Sequence, residues 1–333
     1  MSALLHPRQA LFGHETARAL LPVVDHYCGV EARMRKSLAL QAELGPIFDI
    51  TLDAEDGAPI GGEIEHALLI AELATSAANA FGRVGARVHP LGHAAFEADV
   101  DTLIAKAGGR LAYLMIPKPE SGDDVDRACA AIDTACERHA QPKLPLQVLI
   151  ETHGALREVF RIAAHPRIES LSFGLMDFVS AHGGAIPKTA MELPGQFEHP
   201  LVVRAKLEIA AAAHAFGKTP SHCVVTEFRD SSALAVAARR AARAFGYTRM
   251  WSIHPDQIRP IVEAFAPAAE EIAEAAELLL AAQAQQWAPI SFHDRLHDRA
   301  SYRYFWTVLE RAERTGRSLP AEARRAFFPA AIG

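Results

Sequence analysis

Cysteine is scarce and unpaired in this sequence. Cys28, Cys129, Cys136 and Cys223 form no C-x-x-C pair, so neither a disulfide framework nor a zinc site is expected. Cys129 and Cys136 fall seven apart on an expected helix, where they serve as core fillers. No apolar run reaches the ~18 residues of a membrane span, which argues against a membrane partner. From Met1 to Gly13 there is no basic stretch followed by a long apolar core and a small-residue cleavage site. A cytoplasmic location without a secretory signal is therefore expected. Positive charge is also in deficit, with 34 Lys and Arg against 40 Asp and Glu and a net charge of -6, so nucleic acid is not an expected partner. Arg239, Arg240, Arg243 and Arg249 are a local exception, and amid alanines they read as the solvated face of a helix. No G-x-G-x-x-G follows an early strand, which removes the dinucleotide fingerprint of a doubly wound sheet.

What is present is an alternation of short Val, Ile, Leu and Phe runs with longer Ala-rich, helically spaced segments, the signature of repeated βα units. Strands are predicted at 47–52, 83–88, 112–116, 146–150, 170–173, 224–226 and 250–253, with an eighth, less regular one at 10–12. Helices are predicted at 62–80, 123–139, 200–216 and 230–245, with Gly82, Gly217 and Gly246 as stops. The pattern specifies an α/β fold, a (β/α)8 TIM barrel over 1–267, followed by a C-terminal helical extension over 268–333. Past Pro267 no further strand is predicted. A long helix runs to about Gln286, and an aromatic helix carries Tyr302, Tyr304, Phe305 and Trp306.

In a βα barrel, functional groups collect just after the strands. Here the strand ends deliver Asp53, Glu55 and Asp56, then Arg87 and His89, then Lys118 and Glu120, then Glu151, Asp177 and His254. Glu151 and Asp177 each follow a short apolar run. Two carboxylates plus waters make a typical magnesium site, with coordination positions left for substrate oxygens. The competing reading pairs Glu151 with Arg87 and makes Asp177 a helix cap. Arg87 offers a rigid planar fork to an oxygen that gains negative charge. Glu55 and Asp56 would orient metal-bound waters or move a proton.

In order along the chain, Leu52-Asp-Ala-Glu-Asp-Gly, Ala86-Arg-Val, Ile116-Pro-Lys, Ile150-Glu-Thr, Phe173-Gly-Leu-Met-Asp and Ser252-Ile-His-Pro resemble the citrate lyase beta-subunit family of the HpcH/HpaI aldolase superfamily. The resemblance runs from about Phe48 to Pro267. It implies a barrel, a divalent cation (magnesium, or manganese in its place) and cleavage or formation of a carbon-carbon bond beside a carboxylate or thioester carbonyl. By position, Glu151 and Asp177 would be the metal ligands, Arg87 the contact to the enolate oxygen, and Asp56 or Glu55 an acid of the catalytic shell. Backbone amides near Gly174 would assist Arg87.

Two departures bear on substrate choice: His89 stands where the family often has Asn, and Gly62-Glu-Ile-Glu65 replaces a basic position. In coenzyme A lyases of the group, a C-terminal segment closes over a neighbour's site and supplies an aspartate, for which Asp294 and Asp298 are the candidates. The implied activity is magnesium-dependent cleavage of a 3-hydroxyacyl-coenzyme A of the malyl or citramalyl type, giving an acyl-coenzyme A and a 2-oxo acid. The coenzyme A thioester is thus substrate, and a homo-oligomer, trimer or hexamer, is implied. The alternatives are a class II aldolase acting on free hydroxy-oxo acids and releasing pyruvate, and a non-catalytic barrel that binds a carboxylate ligand.

Overall fold

Alternate residues of short strands point to opposite faces, and in this protein the two faces differ sharply in polarity. Phe48, Ile50 and Leu52, Val84 and Ala86, and Leu146, Val148 and Ile150 face outward into one large apolar core shared with the helices. Their neighbours, Asp25, Asp49, Thr51, Asp53, Arg87 and Gln147, are equally buried but polar, and fill the inside of a barrel. The computed structural model describes residues 5–13, 15 and 20–329. Its strands are β1 (Val24–Cys28), β2 (Phe48–Asp53), β3 (Val84–Arg87), β4 (Leu114–Ile116), β5 (Leu146–Ile150), β6 (Ile168–Phe173), β7 (Thr219–His222) and β8 (Arg249–Ser252). All pair in parallel in chain order, and β8 returns to β1 to close the (β/α)8 barrel.

Two strand expectations are corrected. The stretch 10–12 belongs to the helix Pro7–Phe12, and the closing strand is instead Val24–Cys28, whose Asp25 and His26 break the apolar run that signals a strand. The seventh strand is Thr-Pro-Ser-His at 219–222, with 224–226 in the loop after it; a proline and three polar residues hid it.

Inside the barrel, charge and apolar bulk are layered. Near its N-terminal end the fully buried Arg249 places Nη1 2.5 Å from Asp49 and Nη2 3.2 Å from Asp25. Thr51 donates to the other Asp25 oxygen at 2.6 Å. The Tyr113 ring occupies the volume that a Cβ at Gly85 would need, so glycine is required there. Above this layer Met115, Leu149 and Trp251 form a small apolar cluster with Tyr27.

The chain divides into two compact units, 19–265, which is the barrel, and 1–18 with 266–333. The second unit has its own core of Leu11, Leu279, Trp287, Tyr302, Trp306 and Phe327. Residues 1–4 and 330–333, inside the expected 1–267 and 268–333 spans, lie outside the described residues. Strand structure does recur past Pro267: β9 (Ile290–Phe292) and β10 (Arg295–His297) form a hairpin. Its two turn residues, His293 and Asp294, both take positive φ, as a tight hairpin turn demands. No described helix is long and apolar enough to cross a membrane.

Arg249→Met leaves Asp25 buried without its cation and Asp49 with Arg83 alone. The expected cost is about 3–5 kcal/mol, read as a fall in the urea midpoint. A loss under about 1 kcal/mol would refute the structural role of this layer.

Candidate active site

Neighbouring strand ends fix the acids and bases of the C-terminal rim relative to one another. The parallel register sets Asp53 of β2 beside Arg87 of β3, and the pair forms a two-point clamp: Nε donates to Oδ1 at 2.6 Å and Nη2 to Oδ2 at 2.9 Å. Nη2 also donates to the Tyr27 hydroxyl at 2.6 Å, and Tyr27 in turn donates to Asp53. Burial alone would raise the Asp53 pKa, but the bonds and charge of Arg87 outweigh it and hold the carboxyl below its ordinary range. The Arg87 guanidinium lies 4.8 Å from the Tyr27 ring centre, and Tyr27 stacks on Trp251. Arg87 Nη1 stays outside the clamp, 3.1 Å from Glu55 Oε2 and without hydrogen-bond alignment to it.

Lys118, just past β4, is the second organising cation. Its φ is positive at 49°, a backbone conformation rare outside glycine, which turns the chain at the rim. The ammonium lies 2.5 Å from Glu55, 2.7 Å from Asp56 and 3.5 Å from Asp177. Its backbone N–H donates to Glu151 Oε1 at 3.0 Å.

Glu151 follows β5, and the next residue, Thr152, caps a helix by accepting the Ala155 N–H at 3.0 Å while donating to the Pro119 carbonyl at 2.6 Å. The strand exit is thereby pinned. A Cβ at Gly174 would overlap the Glu151 carboxylate, so this glycine lets the acid lie against the β6 exit. Glu151 is only 2% exposed. Burial first, and the Asp177 charge second, push its pKa up to about 8. Asp177 sits in the first turn of the helix Leu175–Ser180 without capping it, and its side chain is half exposed.

All five expected site residues, Glu55, Asp56, Arg87, Glu151 and Asp177, thus come to one rim. Neither competing reading of the two strand-end acids is realised: Glu151 is bonded to Lys118, and Asp177 caps nothing. Sequence reasoning brought Asp53 and Lys118 to this rim without assigning them a partner, and missed Tyr27. Lys118 and Asp53 lie inside the quoted motifs, whereas Tyr27 is on the unrecognised strand. Asp298 is engaged as a helix cap, its Oδ1 accepting the Ala300 N–H at 2.9 Å, and Asp294 occupies the hairpin turn.

For a hard cation, the available donors are the Glu151 and Asp177 carboxylates. No group of three His, Cys, Asp or Glu side chains suited to a metal exists among the described residues. The chemistry still fits, because magnesium takes one or two protein carboxylates and keeps several waters. A buried Glu151 whose proton affinity is raised by burial and by the Asp177 charge is what a divalent ion would relieve. A cavity of about 590 Å³ lies elsewhere, between His153, Phe160, Phe178, His182, Leu201 and Arg204.

A βα barrel with an arginine clamp and converging carboxylates at its C-terminal rim defines an enzyme of the barrel class. A family model, HpcH/HpaI aldolase/citrate lyase, matches residues 49–255. The chain is 30% identical over 279 residues to an L-malyl-CoA/beta-methylmalyl-CoA lyase of Cereibacter sphaeroides (strain ATCC 17025 / ATH 2.4.3), covering 79% of this chain and 87% of that one. It is 26% identical over 266 residues to the mitochondrial citramalyl-CoA lyase of Rattus norvegicus, covering 77% and 74%. Among solved structures, a citrate lyase from Burkholderia xenovorans LB400 is 55% identical with a TM-score of 0.84, covering 97% of this chain and 99% of that one. The protein belongs to the HpcH/HpaI aldolase/citrate lyase family and is a carbon-carbon lyase.

Because the folded Glu151 pKa lies above the ordinary 4.5, its neutral form adds stability below that value, and the contribution is lost as pH rises through about 8. In chelator-treated protein Glu151→Gln should therefore gain on the wild type from pH 5.5 to pH 9, by about 4 kcal/mol at most. Parallel melting curves of the two proteins over that range would refute it.

Proposed function

We propose that this protein is a magnesium-dependent lyase that cleaves a 3-hydroxyacyl-coenzyme A of the malyl or citramalyl type into an acyl-coenzyme A and a 2-oxo acid. The observation that carries the reading is the placement of the clamped, buried Arg87 beside the Glu151 and Asp177 carboxylates at one rim. The lyase names of the two relatives support the substrate class.

Glu151 and Asp177 would hold the cation. When bound, it supplies Lewis-acid polarisation of the substrate's hydroxyl and carboxylate oxygens. Arg87 serves the other fragment. Its Nε and Nη2 are fixed by Asp53, so Nη1 is aimed without reorganisation at an oxygen that becomes an enolate. That contact strengthens as charge develops, which favours the transition state over the bound substrate. Glu55 and Asp56 act in the surrounding shell by holding the Lys118 ammonium at the rim, and Glu55 also borders Arg87. The protein works as a cytoplasmic homo-oligomer on this reading, a trimer or hexamer as the family resemblance implies.

Incubation with malyl-, citramalyl- and citryl-coenzyme A plus magnesium should release 2-oxo acids, detectable by reduction or derivatisation. Cleavage confined to free hydroxy-oxo acids would sink the thioester reading in favour of a pyruvate-releasing aldolase. Arg87→Lys keeps the charge and loses the fork, and should lower kcat by about 10²–10³-fold. Glu151→Ala and Asp177→Ala should each abolish magnesium binding by calorimetry; unchanged affinity would refute the metal site.

A further inference from the structure

A guanidinium has a fixed set of N–H hydrogens, and counting their partners shows which edge of Arg87 is left for a ligand. The Nε hydrogen and one hydrogen of Nη2 go to the two oxygens of Asp53, at 2.6 and 2.9 Å. The other Nη2 hydrogen goes to the Tyr27 hydroxyl at 2.6 Å. That leaves the two hydrogens of Nη1, with Glu55 Oε2 3.1 Å away. A guanidinium takes a carboxylate by two parallel bonds along one edge. Asp53 fills the Nε/Nη2 edge, and Tyr27 caps the Nη1/Nη2 edge at its Nη2 end.

The cap is held from three sides. The Tyr27 proton goes to Asp53 Oδ2, so the hydroxyl oxygen turns a lone pair toward Nη2. Burial pushes the phenol pKa up, which keeps that proton in place. The ring stacks on Trp251 with centres 5.5 Å apart, and Trp251 packs against Met115 and Leu149. A Cβ at Gly57 would overlap the Tyr27 hydroxyl, so the glycine after Asp56 gives it room, and the Gly57 N–H donates to Asp53 Oδ2 at 2.6 Å. An apolar ring would stack on Trp251 equally well, so packing does not account for the hydroxyl.

We propose that Tyr27 is a positioning residue that sets the specificity of Arg87: it denies a ligand carboxylate the second arm of the guanidinium and leaves a one-oxygen contact at Nη1. The inference rests on the lyase reading above, in which that oxygen is the thioester carbonyl that becomes an enolate. A malyl-type thioester carries a free carboxylate at one end and the thioester at the other. Bound backwards, with its carboxylate on Arg87, it presents the wrong end to Glu151 and Asp177 and is not cleaved. An arginine with both Nη arms free would favour that reversed mode through a charge-assisted pair of bonds. With the Nη2 arm taken, the carboxylate loses its second bond, whereas a thioester carbonyl, which has a single oxygen, loses nothing.

The test compares magnesium-loaded wild type with Tyr27→Phe, which keeps the ring on Trp251 and removes the hydroxyl, with melting curves run alongside. Succinate is the probe, because it has a carboxylate at each end and the chain length of the malyl group. Calorimetry should show succinate binding about tenfold more tightly to Tyr27→Phe, the effect of the arm set free. On whichever of the three thioesters the wild type cleaves, kcat and KM should fall together by about tenfold with kcat/KM nearly kept, as a substrate that gains an unproductive mode requires. A merely structural loss would instead weaken succinate and lower kcat/KM. Tyr27→Leu, which also lacks the hydroxyl, answers the question if Tyr27→Phe fails to fold. A folded variant that binds succinate no more tightly than wild type overturns the assignment of Tyr27. A wild type inert on all three thioesters overturns the lyase reading itself, while the succinate comparison still decides the role of Tyr27.

Discussion

The clamp between Asp53 and Arg87 is the constraint on which the rim depends. A guanidinium taken out of water is costly unless its donors are matched in plane, and Asp53 matches two of them across adjacent strands. Matching requires the register of β2 and β3 to be held, and that register also sets Glu55 beside Nη1. Tyr27 of β1 closes the other side by contacting both partners. Three strands therefore agree on the position of one cation, and that position leaves Nη1 as the arm of the fork aimed outside the clamp.

The interior below explains how such a charge is tolerated. Arg249 with Asp25 and Asp49 forms a second ionic layer near the opposite end, and Met115, Leu149, Trp251 and Tyr27 separate the two. Each layer carries its own countercharge, so neither depends on solvent entering the barrel. Water excluded from the floor strengthens every electrostatic contact at the rim. The same exclusion raises the proton affinity of Glu151, which has Asp177 for a neighbour and accepts a hydrogen bond from the Lys118 amide.

The sequence made the outer face of the barrel legible and its inner face much less so. Apolar runs reveal a strand when the side packed on helices dominates, as at Leu146–Ile150, and this places Glu151 directly after it. Val24–Cys28 and Thr219–His222 escaped because ionic and hydroxyl groups that belong to the barrel interior look like loop residues in one dimension. Asp53 was visible only as one of several acids in a row. Its selection over Glu55 and Asp56 as the partner of Arg87 follows from strand parity and register, which composition does not carry.

Parity also separates the roles of the rim acids. Asp53 is inward and buried, and its charge is consumed by Arg87. Asp56 lies past the strand end with its side chain about half exposed, where it reaches Lys118 and not the arginine. Glu55 lies between them and touches both cations. Lys118 in turn spans Glu55, Asp56 and Asp177, so it links the acids after β2 to the expected metal ligand after β6. Any cation brought to Glu151 and Asp177 must compete with that ammonium for Asp177, at 3.5 Å the loosest of its three contacts. Engaging Asp177 would take from the ammonium only its longest contact and leave those to Glu55 and Asp56.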